Sequence, residues 1–434
     1  MSLLARVVRG LTYVAMASFV AVIVLGVVAL ATDLSSTYPY VALGAFAVSV
    51  ASVIAYVMVL KRSDRLYRRE VARGLDAAFA NPEVPERSFD LDTGRLVVLS
   101  DQHKGTRDGA DDFWRSERAY CAALAYYFGA GHHLVCLGDA EELWETLSPQ
   151  KVIRKHNGDG QALSLEARFN AAGRYDRVWG NHDLIWMTAR NVATHLGEGG
   201  PFGAGFAVKE AVKFNVTAQG EHRGTLFLLH GHQGTADSQV ITAFSQPVVR
   251  FFGFLQRRFK RGWNTPASDW ALRERHDAAM FAWAKTRSAD RVVLIAGHTH
   301  RPVFWDRKRP IPTGAEVEQL AGELQADEQA DASSDRSPEK EADLEWARAE
   351  QRWGTGSPPP QPIEPPCYFN TGCCSFADGD ITGLEIVGGE IRLIRWPNDQ
   401  GEARPKTLEP ATASLREIFD GIGKYGALAR GDGA

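Results

Sequence analysis

The sequence predicts an α/β domain that follows a transmembrane helical hairpin. Residues 11–31 and 40–60 are apolar stretches without a charged side chain, and each is long enough to cross about 30 Å of hydrocarbon as a helix. From residue 95 onward, short apolar runs alternate with stretches of helical character. The first pattern predicts a hairpin within residues 1–62, and the second predicts the α/β class.

The first apolar stretch has a second interpretation as a cleaved signal peptide. Arg6 and Arg9 precede it, and Ala29 and Ala31 resemble a small-residue cleavage site. The second apolar stretch begins only a few residues later, which favours the hairpin. Six basic residues crowd after that stretch, namely Lys61, Arg62, Arg65, Arg68, Arg69 and Arg73. The positive-inside rule therefore predicts a multi-pass protein of the inner (cytoplasmic) membrane, with everything after Lys61 in the cytoplasm.

The composition argues against some partners and frameworks. A net charge of -4 over 434 residues lacks the basic excess of proteins that wrap nucleic acid, so no nucleic acid partner is expected. Five cysteines, an odd number without metal-like CxxC pairs, indicate reduced thiols and not a disulfide framework.

The α/β domain is predicted over residues 91–396, after a charged, amphipathic connector at 63–90 that would lie against lipid headgroups. Residues 111–128 have helical character, and strands are predicted at 95–100, 133–137, 177–179, 225–229, 292–296, 367–370, 381–387 and 391–396. Two segments interrupt this pattern: a helical insert at 241–287, and an acidic, then Pro-rich insert at 314–366 that predicts disorder. Residues 397–434 are predicted to be a C-terminal tail with a short helix.

The first five predicted strands end in residues that bind divalent metals. These residues are Asp101, His103, Asp139, Asn181, His230, His298 and His300. Carboxylate, amide and imidazole groups form a mixed donor set suited to Mn, Fe, Zn or similar ions. In an extended strand end, residues two apart point to one side, so Asp101 with His103, and His298 with His300, would each present two donors to one place. Glycines before Asp139, Asn181 and His298 would allow sharp turns and close backbone approach.

The ordered motifs Asp-x-His, Gly-Asp-x-x-Glu, Gly-Asn-His-Asp, a single His and Gly-His-x-His resemble those of the calcineurin-like metallophosphoesterase superfamily. The resemblance covers roughly residues 95–396, and it implies a four-layer α/β/β/α sandwich that holds two divalent metal ions. It implies that Asp101, His103 and His300 hold one ion, that Asn181, His230 and His298 hold the other, and that Asp139 bridges both. Either His230 or His232 could be the ligand of the fourth motif. His230 is preferred because it directly follows a predicted strand.

The same resemblance implies catalytic roles for two further residues. His182 would protonate the leaving oxygen or bind the phosphoryl group, and Glu142 would orient and charge that histidine. Asp183 is expected to cap the helix that begins at Leu184. Lys104 and Arg107 are candidates for contacting a substrate phosphate.

The sequence therefore predicts a dinuclear-metal-dependent phosphatase or phosphodiesterase that acts on phosphate esters or anhydrides at the membrane. Several motifs also resemble the branch that contains the UDP-2,3-diacylglucosamine pyrophosphatases, which would give a lipid-linked diphosphate as substrate. The aromatic, basic segment from Phe251 to Trp263 would suit such a substrate, but those enzymes have an arginine at the position of His182. A third interpretation is a membrane-tethered metal-binding scaffold without catalysis.

Overall fold

The computed structural model describes residues 64–107, 111–144, 148–235, 270–304, 318–319, 321–322, 366–376, 379–398 and 406–430. Both predicted membrane spans and nearly all of the predicted insert at 314–366 lie outside these ranges. Across the described ranges, no helix combines the length and the apolar character needed to cross a bilayer. The chain divides into two compact units, one of residues 1–77 with 232–260 and one of residues 78–231 with 261–434.

The second unit contains two mixed six-stranded sheets, so the predicted α/β class is confirmed. The strands are β1 (Glu86–Asp90), β2 (Arg95–Leu99), β3 (His133–Leu137), β4 (Tyr175–Val178), β5 (Ala211–Ala218), β6 (Glu221–Leu229), β7 (Val292–Ala296), β8 (Pro302–Phe304), β9 (Tyr368–Thr371), β10 (Ile381–Val387), β11 (Glu390–Trp396) and β12 (Lys406–Ser414). The strand order is β1-β5-β6-β7-β9-β8 in one sheet and β12-β11-β10-β2-β3-β4 in the other.

The helices are α1 (Asp64–Ala80), α2 (Glu117–Gly129), α3 (Pro149–His156), α4 (Ala162–Ala171), α5 (Ala189–His195), α6 (Trp270–Thr286) and α7 (Leu415–Arg430). Local sequence favours several of these segments. Pro149 at the start of α3 has the backbone angle of a first helical turn, and three basic side chains in the last turn complement the helix dipole. Helix α6 lies within the predicted helical insert at 241–287; residues 241–269 lie outside the described part.

The parallel strands of each sheet end at one edge. Strands β2, β3 and β4 run parallel, and the register places Leu99 beside Cys136 and Leu137 beside Val178. Strands β6 and β7 are also parallel, with Leu228 beside Ile295. Strands β2, β3 and β7 are apolar, apart from the first residues of β2 and β3, and almost fully buried, as expected for parallel strands covered on both faces. The polar segments that follow the carboxyl ends of neighbouring parallel strands therefore start close to one another.

A hydrophobic cluster holds the second sheet rigid below these ends. Val97 and Leu134 of the strands pack with Leu124 of α2 and Phe169 of α4, and all four side chains are fully buried. Burial of each such side chain stabilises the fold by about 1.5–3 kcal/mol. The segments after the strands thus start from fixed positions.

Two domain boundaries differ from the prediction. Residues 86–90, predicted as the end of the connector, form β1 and pair with β5 from Glu86 beside Lys213 to Asp90 beside Thr217. The predicted C-terminal tail contributes β12, which pairs with β11, before the helix α7. Neither strand has an apolar run, so its pairing is decided by the neighbouring strand and not by its own sequence.

Candidate metal centre

The predicted metal ligands converge where β2, β3, β4, β6 and β7 end. Three groups of side chains could each hold a metal ion, because their ligand atoms all lie within 4.8 Å of one another; these groups are Asp101 with His103 and His300, Asp139 with His230 and His298, and His103 with Glu142 and His182. The first group has the same members as one predicted ligand set, and the second contains His230 and His298 of the other set together with Asp139, the predicted bridge. Within the described residues, the chain therefore has a buried site that could hold metal ions.

Asp101 has one anchored oxygen and one that faces the histidines. Its Oδ2 accepts hydrogen bonds from the backbone N–H of His298 at 3.1 Å and from the Ser100 hydroxyl. Its Oδ1 lies 3.2 Å from Nε2 of His300 and 4.0 Å from Nε2 of both His103 and His230. This buried oxygen makes no hydrogen bond of good geometry in the described part of the chain. An acceptor in that position suits a cation.

Asp139 repeats this arrangement. Its Oδ1 accepts a hydrogen bond from the backbone N–H of His182 at 2.7 Å. Its Oδ2 lies 3.1 Å from Nε2 of His230 and 3.8 Å from Nε2 of His103. The oxygen therefore contacts one histidine of each predicted ligand set.

His230 enters the site in a defined orientation, whereas His232 belongs to the other compact unit. Nδ1 of His230 lies 2.9 Å from the Leu137 carbonyl, which can only accept a hydrogen bond. The Nδ1–H therefore donates, and Nε2 points toward Asp139 and toward Asn181 Oδ1 at 3.2 Å. This geometry favours His230, as the sequence predicted.

The backbone of the site is strained at the residues that carry the ligands. In the described part of the chain, eight non-glycine residues have positive φ, and five of them are Asp101, His103, Asp139, His298 and His300, with φ between 49° and 69°. Such residues are uncommon, and each costs on the order of 1–3 kcal/mol unless its surroundings hold it in place. The expectation of extended strand ends is therefore wrong. His298 and His300 also join different groups instead of presenting two donors to one place.

Two of the predicted glycines are required by close contacts. Gly138 has φ of +88°, and a Cβ there would lie 2.6 Å from the His230 ring. A Cβ on Gly180 would overlap the Asp139 carboxylate. Both positions therefore exclude any side chain, which explains the glycines that precede Asp139 and Asn181.

Glu142, His103 and His182 form a hydrogen-bonded chain beside the two aspartates. Oε2 of Glu142 lies 2.6 Å from Nδ1 of His182 and 3.2 Å from Nδ1 of His103. The indole of Trp144 stacks on His182, with ring centroids 4.1 Å apart and planes 18° apart. The His182 side chain is 23% exposed, whereas that of His230 is fully buried. The centre therefore opens toward solvent at His182.

The close carboxylates and imidazoles shift one another's proton affinities. Burial lowers the pKa of His182, but Glu142 and Asp139 outweigh burial and raise it to about 9. Burial likewise opposes a charge on His230, and Asp139 and Asp101 raise its pKa to about 9. Burial raises the pKa of Asp139, but His230 and His182 hold it well below the usual range. The imidazoles of His182 and His230 are thus placed where a positive charge is stabilised.

The structure contradicts the predicted substrate contact of Lys104. Its side chain is completely buried, and its ammonium pairs with Glu166 at 2.7 Å and with Glu141 at 3.7 Å. Arg107 is 38% exposed and pairs with Glu117 at 2.8 Å. Contact between Arg107 and substrate stays a prediction.

Asp183 does not cap the following helix. Its side chain makes no cap hydrogen bond and instead accepts the backbone N–H of Gly180 at 2.6 Å and of Ala140 at 3.0 Å. It therefore ties together the two segments that carry Asp139 and Asn181. Burial and the charge of Asp139 raise its pKa to about 6.

Sequence reasoning missed the buried charges below these segments. Arg177 is fully buried, pairs with Glu141, and lies 3.7 Å from Asp183. The signal was present, because an arginine inside a buried strand requires a charged partner. The stacking of Trp144 on His182 had no sequence signal of its own.

No protein-family model matches the chain, and no curated protein matches its sequence significantly.

Proposed function

We propose that this chain is a hydrolase of phosphate esters or anhydrides that uses two divalent metal ions, of the calcineurin-like metallophosphoesterase kind. One observation carries the proposal. Side chains that are far apart in the sequence, and that follow strands of both sheets, meet within hydrogen-bonding distance: Asp101 lies 3.2 Å from His300, and Asp139 lies 3.1 Å from His230. The four-layer arrangement and a position at the cytoplasmic face of the membrane belong to the same proposal and rest on the sequence.

The donor set fits metal ions. Asp101, His103 and His300 would hold one ion, and Asn181, His230 and His298 the other, with the Asp139 carboxylate shared. Nε2 of His103 and Nε2 of His300 lie only 3.1 Å apart, so at least one proton or one cation must separate their lone pairs. Oxygen and imidazole ligands without thiolate suit Mn, Fe or Zn.

Bound divalent ions supply Lewis-acid chemistry, since they polarise phosphoryl oxygens and generate a nucleophile from water at neutral pH. The protein contributes a proton donor. Glu142 takes the Nδ1–H of His182, which leaves Nε2 of this partly exposed ring for the leaving oxygen of a substrate. A positioned general acid of this kind contributes about 10²–10⁴-fold to the rate.

The alternative of a metal-binding scaffold accounts for less of this geometry. A structural site closes all ligand positions and needs no proton donor. Here a solvent-facing histidine is held by a carboxylate directly beside the ligand groups. The Glu142–His182 pair therefore favours catalysis.

The proposal is tested by hydrolysis of bis-p-nitrophenyl phosphate and p-nitrophenyl phosphate by the full chain in detergent, after chelation and reloading with Mn²⁺. Asp139→Asn should lower both bound metal and turnover. His182→Ala should lower kcat with bound metal unchanged, by less on these p-nitrophenyl esters, whose leaving group needs little protonation, than the factor of about 10²–10⁴ expected for a poorer leaving group. His222→Ala is the matched control, since His222 is exposed near the start of β6, far from the end that carries His230.

Turnover that survives Asp139→Asn and His182→Ala alike would remove the hydrolase proposal at this site. A UDP-diacylglucosamine arm separates the substrate classes. Cleavage of that compound in preference to the nitrophenyl esters would favour the lipid-linked diphosphate alternative, and no cleavage would reject it.

A further inference from the structure

Trp144 contacts both members of the proposed proton-donating pair. Its indole stacks on the His182 imidazole with ring centroids 4.1 Å apart. Its backbone N–H donates a hydrogen bond to Oε1 of Glu142 at 2.9 Å. The other oxygen of that carboxylate, Oε2, lies 2.6 Å from Nδ1 of His182. One residue therefore supports the histidine through its ring and the glutamate through its backbone.

The hydrogen bond to Glu142 alone does not fix the direction of Nε2. An imidazole that is hydrogen-bonded only at Nδ1 can still rotate about that hydrogen bond, and such a rotation changes the direction in which Nε2 points. The His103 ring meets His182 nearly perpendicular, with centroids 4.6 Å apart, and the indole lies nearly parallel to His182. This rotation would break the stacked contact, which is worth about 0.5–1.5 kcal/mol beyond its buried area. The indole thus restricts the remaining freedom of His182.

We propose that Trp144 is a positioning residue that aims Nε2 of His182 at the leaving oxygen of the phosphate ester. This inference rests on the proposed function. In the hydrolysis, the oxygen of water forms a bond to phosphorus and the bond from phosphorus to the leaving oxygen breaks. The proton on Nε2 of His182 passes to the leaving oxygen, and the proton given up by the attacking water restores His182. The indole acts on this transfer only through the imidazole.

Two diesters that differ only in the leaving group test this role. Methyl p-nitrophenyl phosphate releases an acidic phenol that needs little protonation, whereas methyl phenyl phosphate releases a much weaker acid. Trp144→Leu keeps the backbone N–H and an apolar side chain but removes the stacking plane. We expect it to lower kcat on the phenyl ester by about tenfold or more, because small misplacements of a catalytic group have effects of that size. The p-nitrophenyl ester should be affected much less, and KM for both should change less than about twofold, since the indole does not hold the substrate.

Two variants and one combination make the test specific. Trp144→Phe keeps an aromatic plane and should restore most of the phenyl-ester rate. Trp114→Leu is the matched control, because Trp114 is 56% exposed and its ring contacts Arg115. In a His182→Ala background, Trp144→Leu should have no further effect, since its only route to the reaction has been removed.

A readout without turnover comes from carbethoxylation of His182 by diethyl pyrocarbonate, measured by peptide mass spectrometry on chelated protein. His182 should react faster in Trp144→Leu than in Trp144→Phe. Equal loss on both esters, a loss that persists without His182, or unchanged His182 reactivity would overturn the positioning role. A wild type that hydrolyses neither ester, or a His182→Ala variant equal to wild type on the phenyl ester, would instead overturn the proposed function and the positioning role with it.

Discussion

Lys104 is a predicted contact of the substrate phosphate, but its buried ion pair indicates that it stabilises the fold. Its ammonium lies 2.7 Å from Oε1 of Glu166, and both side chains are fully buried. Glu166 also accepts hydrogen bonds from the hydroxyls of Tyr120 and Tyr175. Burial opposes a charge on Lys104, but Glu166 and Glu141 outweigh it and raise the lysine pKa, so the pair is ionised. We predict that Lys104→Met destabilises the fold without changing KM.

The size of the effect follows from the geometry. At 2.7 Å and an effective dielectric constant of about 20, the attraction between the two charges is about 6 kcal/mol. Most of this is offset by the desolvation of both groups, so the pair itself stabilises little. Removing only Lys104 leaves the Glu166 carboxylate buried without its partner, which costs about 3–5 kcal/mol. At about 2–4 °C per kcal/mol, the unfolding midpoint should fall by roughly 6–20 °C, nearer the lower figure for a large unit.

The assay is thermal and urea unfolding of the full chain, with steady-state kinetics on the same preparations. Lys104→Met combined with Glu166→Gln should recover most of the lost stability, because the amide still reaches both tyrosine hydroxyls and position 166 no longer carries a buried charge without its lysine partner. Lys151→Met is the matched control, since Lys151 is exposed on α3. It should change the free energy of unfolding by less than about 0.5 kcal/mol.

The opposite pattern would refute this reasoning. If Lys104 contacts the substrate phosphate, Lys104→Met raises KM with the unfolding midpoint nearly unchanged. Adding Glu166→Gln would then fail to rescue either quantity.

Two further predictions concern Gly180, beside the candidate ligand Asp139, and His156 at the end of α3. Gly180→Ala should lower bound Mn²⁺ and turnover together, because the added Cβ overlaps Asp139; Gly129→Ala, where a Cβ meets nothing within 4 Å, is the control, and equal metal content in the two variants would contradict the packing argument. Asp111 and Glu117 outweigh burial and raise the pKa of His156 above its usual 6.5. Its charge should therefore stabilise the fold fully below pH 6.5 and less as pH rises through the folded pKa. The urea midpoint of wild type relative to His156→Gln should be higher at pH 6 than at pH 9, and a constant difference would argue against a charged histidine.

The convergence of the candidate ligand residues could be predicted because several of them follow strands with a clear sequence signature. The runs before Asp101, Asp139 and His298 are apolar and buried, and strands of that kind end at a common edge. Residue type then restricts the chemistry, since only a few side chains bind divalent metals. Position along the strand and residue type were sufficient to predict which of these side chains lie close together; their role as metal ligands stays a prediction.

The local conformation of the ligands could not be predicted in the same way. Asp101 and His298 adopt left-handed backbone angles that neither residue prefers and that are held by contacts far away in the sequence. The backbone N–H of Asp101 donates to the Gly138 carbonyl at 3.1 Å, and the backbone N–H of His103 donates to the Asp139 carbonyl at 2.9 Å. Tertiary hydrogen bonds therefore decide this geometry against local preference.

Lys104 shows a related limit. Because lysine is rarely buried, a lysine next to a predicted metal ligand is expected to be exposed and able to contact a phosphate. Its partner Glu166 lies 62 residues further along the chain, on α4. Sequence spacing gives no sign of this pairing, and only the packing of α4 beside the site segments reveals it.

Left-handed backbone residues and buried charges are concentrated in the candidate metal centre, and this concentration supports the proposal that a cation binds there. Five left-handed residues together cost on the order of 5–15 kcal/mol, and they all lie at the ends of rigid, buried strands. The same segments bring three carboxylates and several imidazoles close together, and burial disfavours the charged form of each of these carboxylates. A cation that binds only the folded chain would stabilise it by mass action and would offset part of this cost. The conformation of these segments therefore fits the proposed metal site.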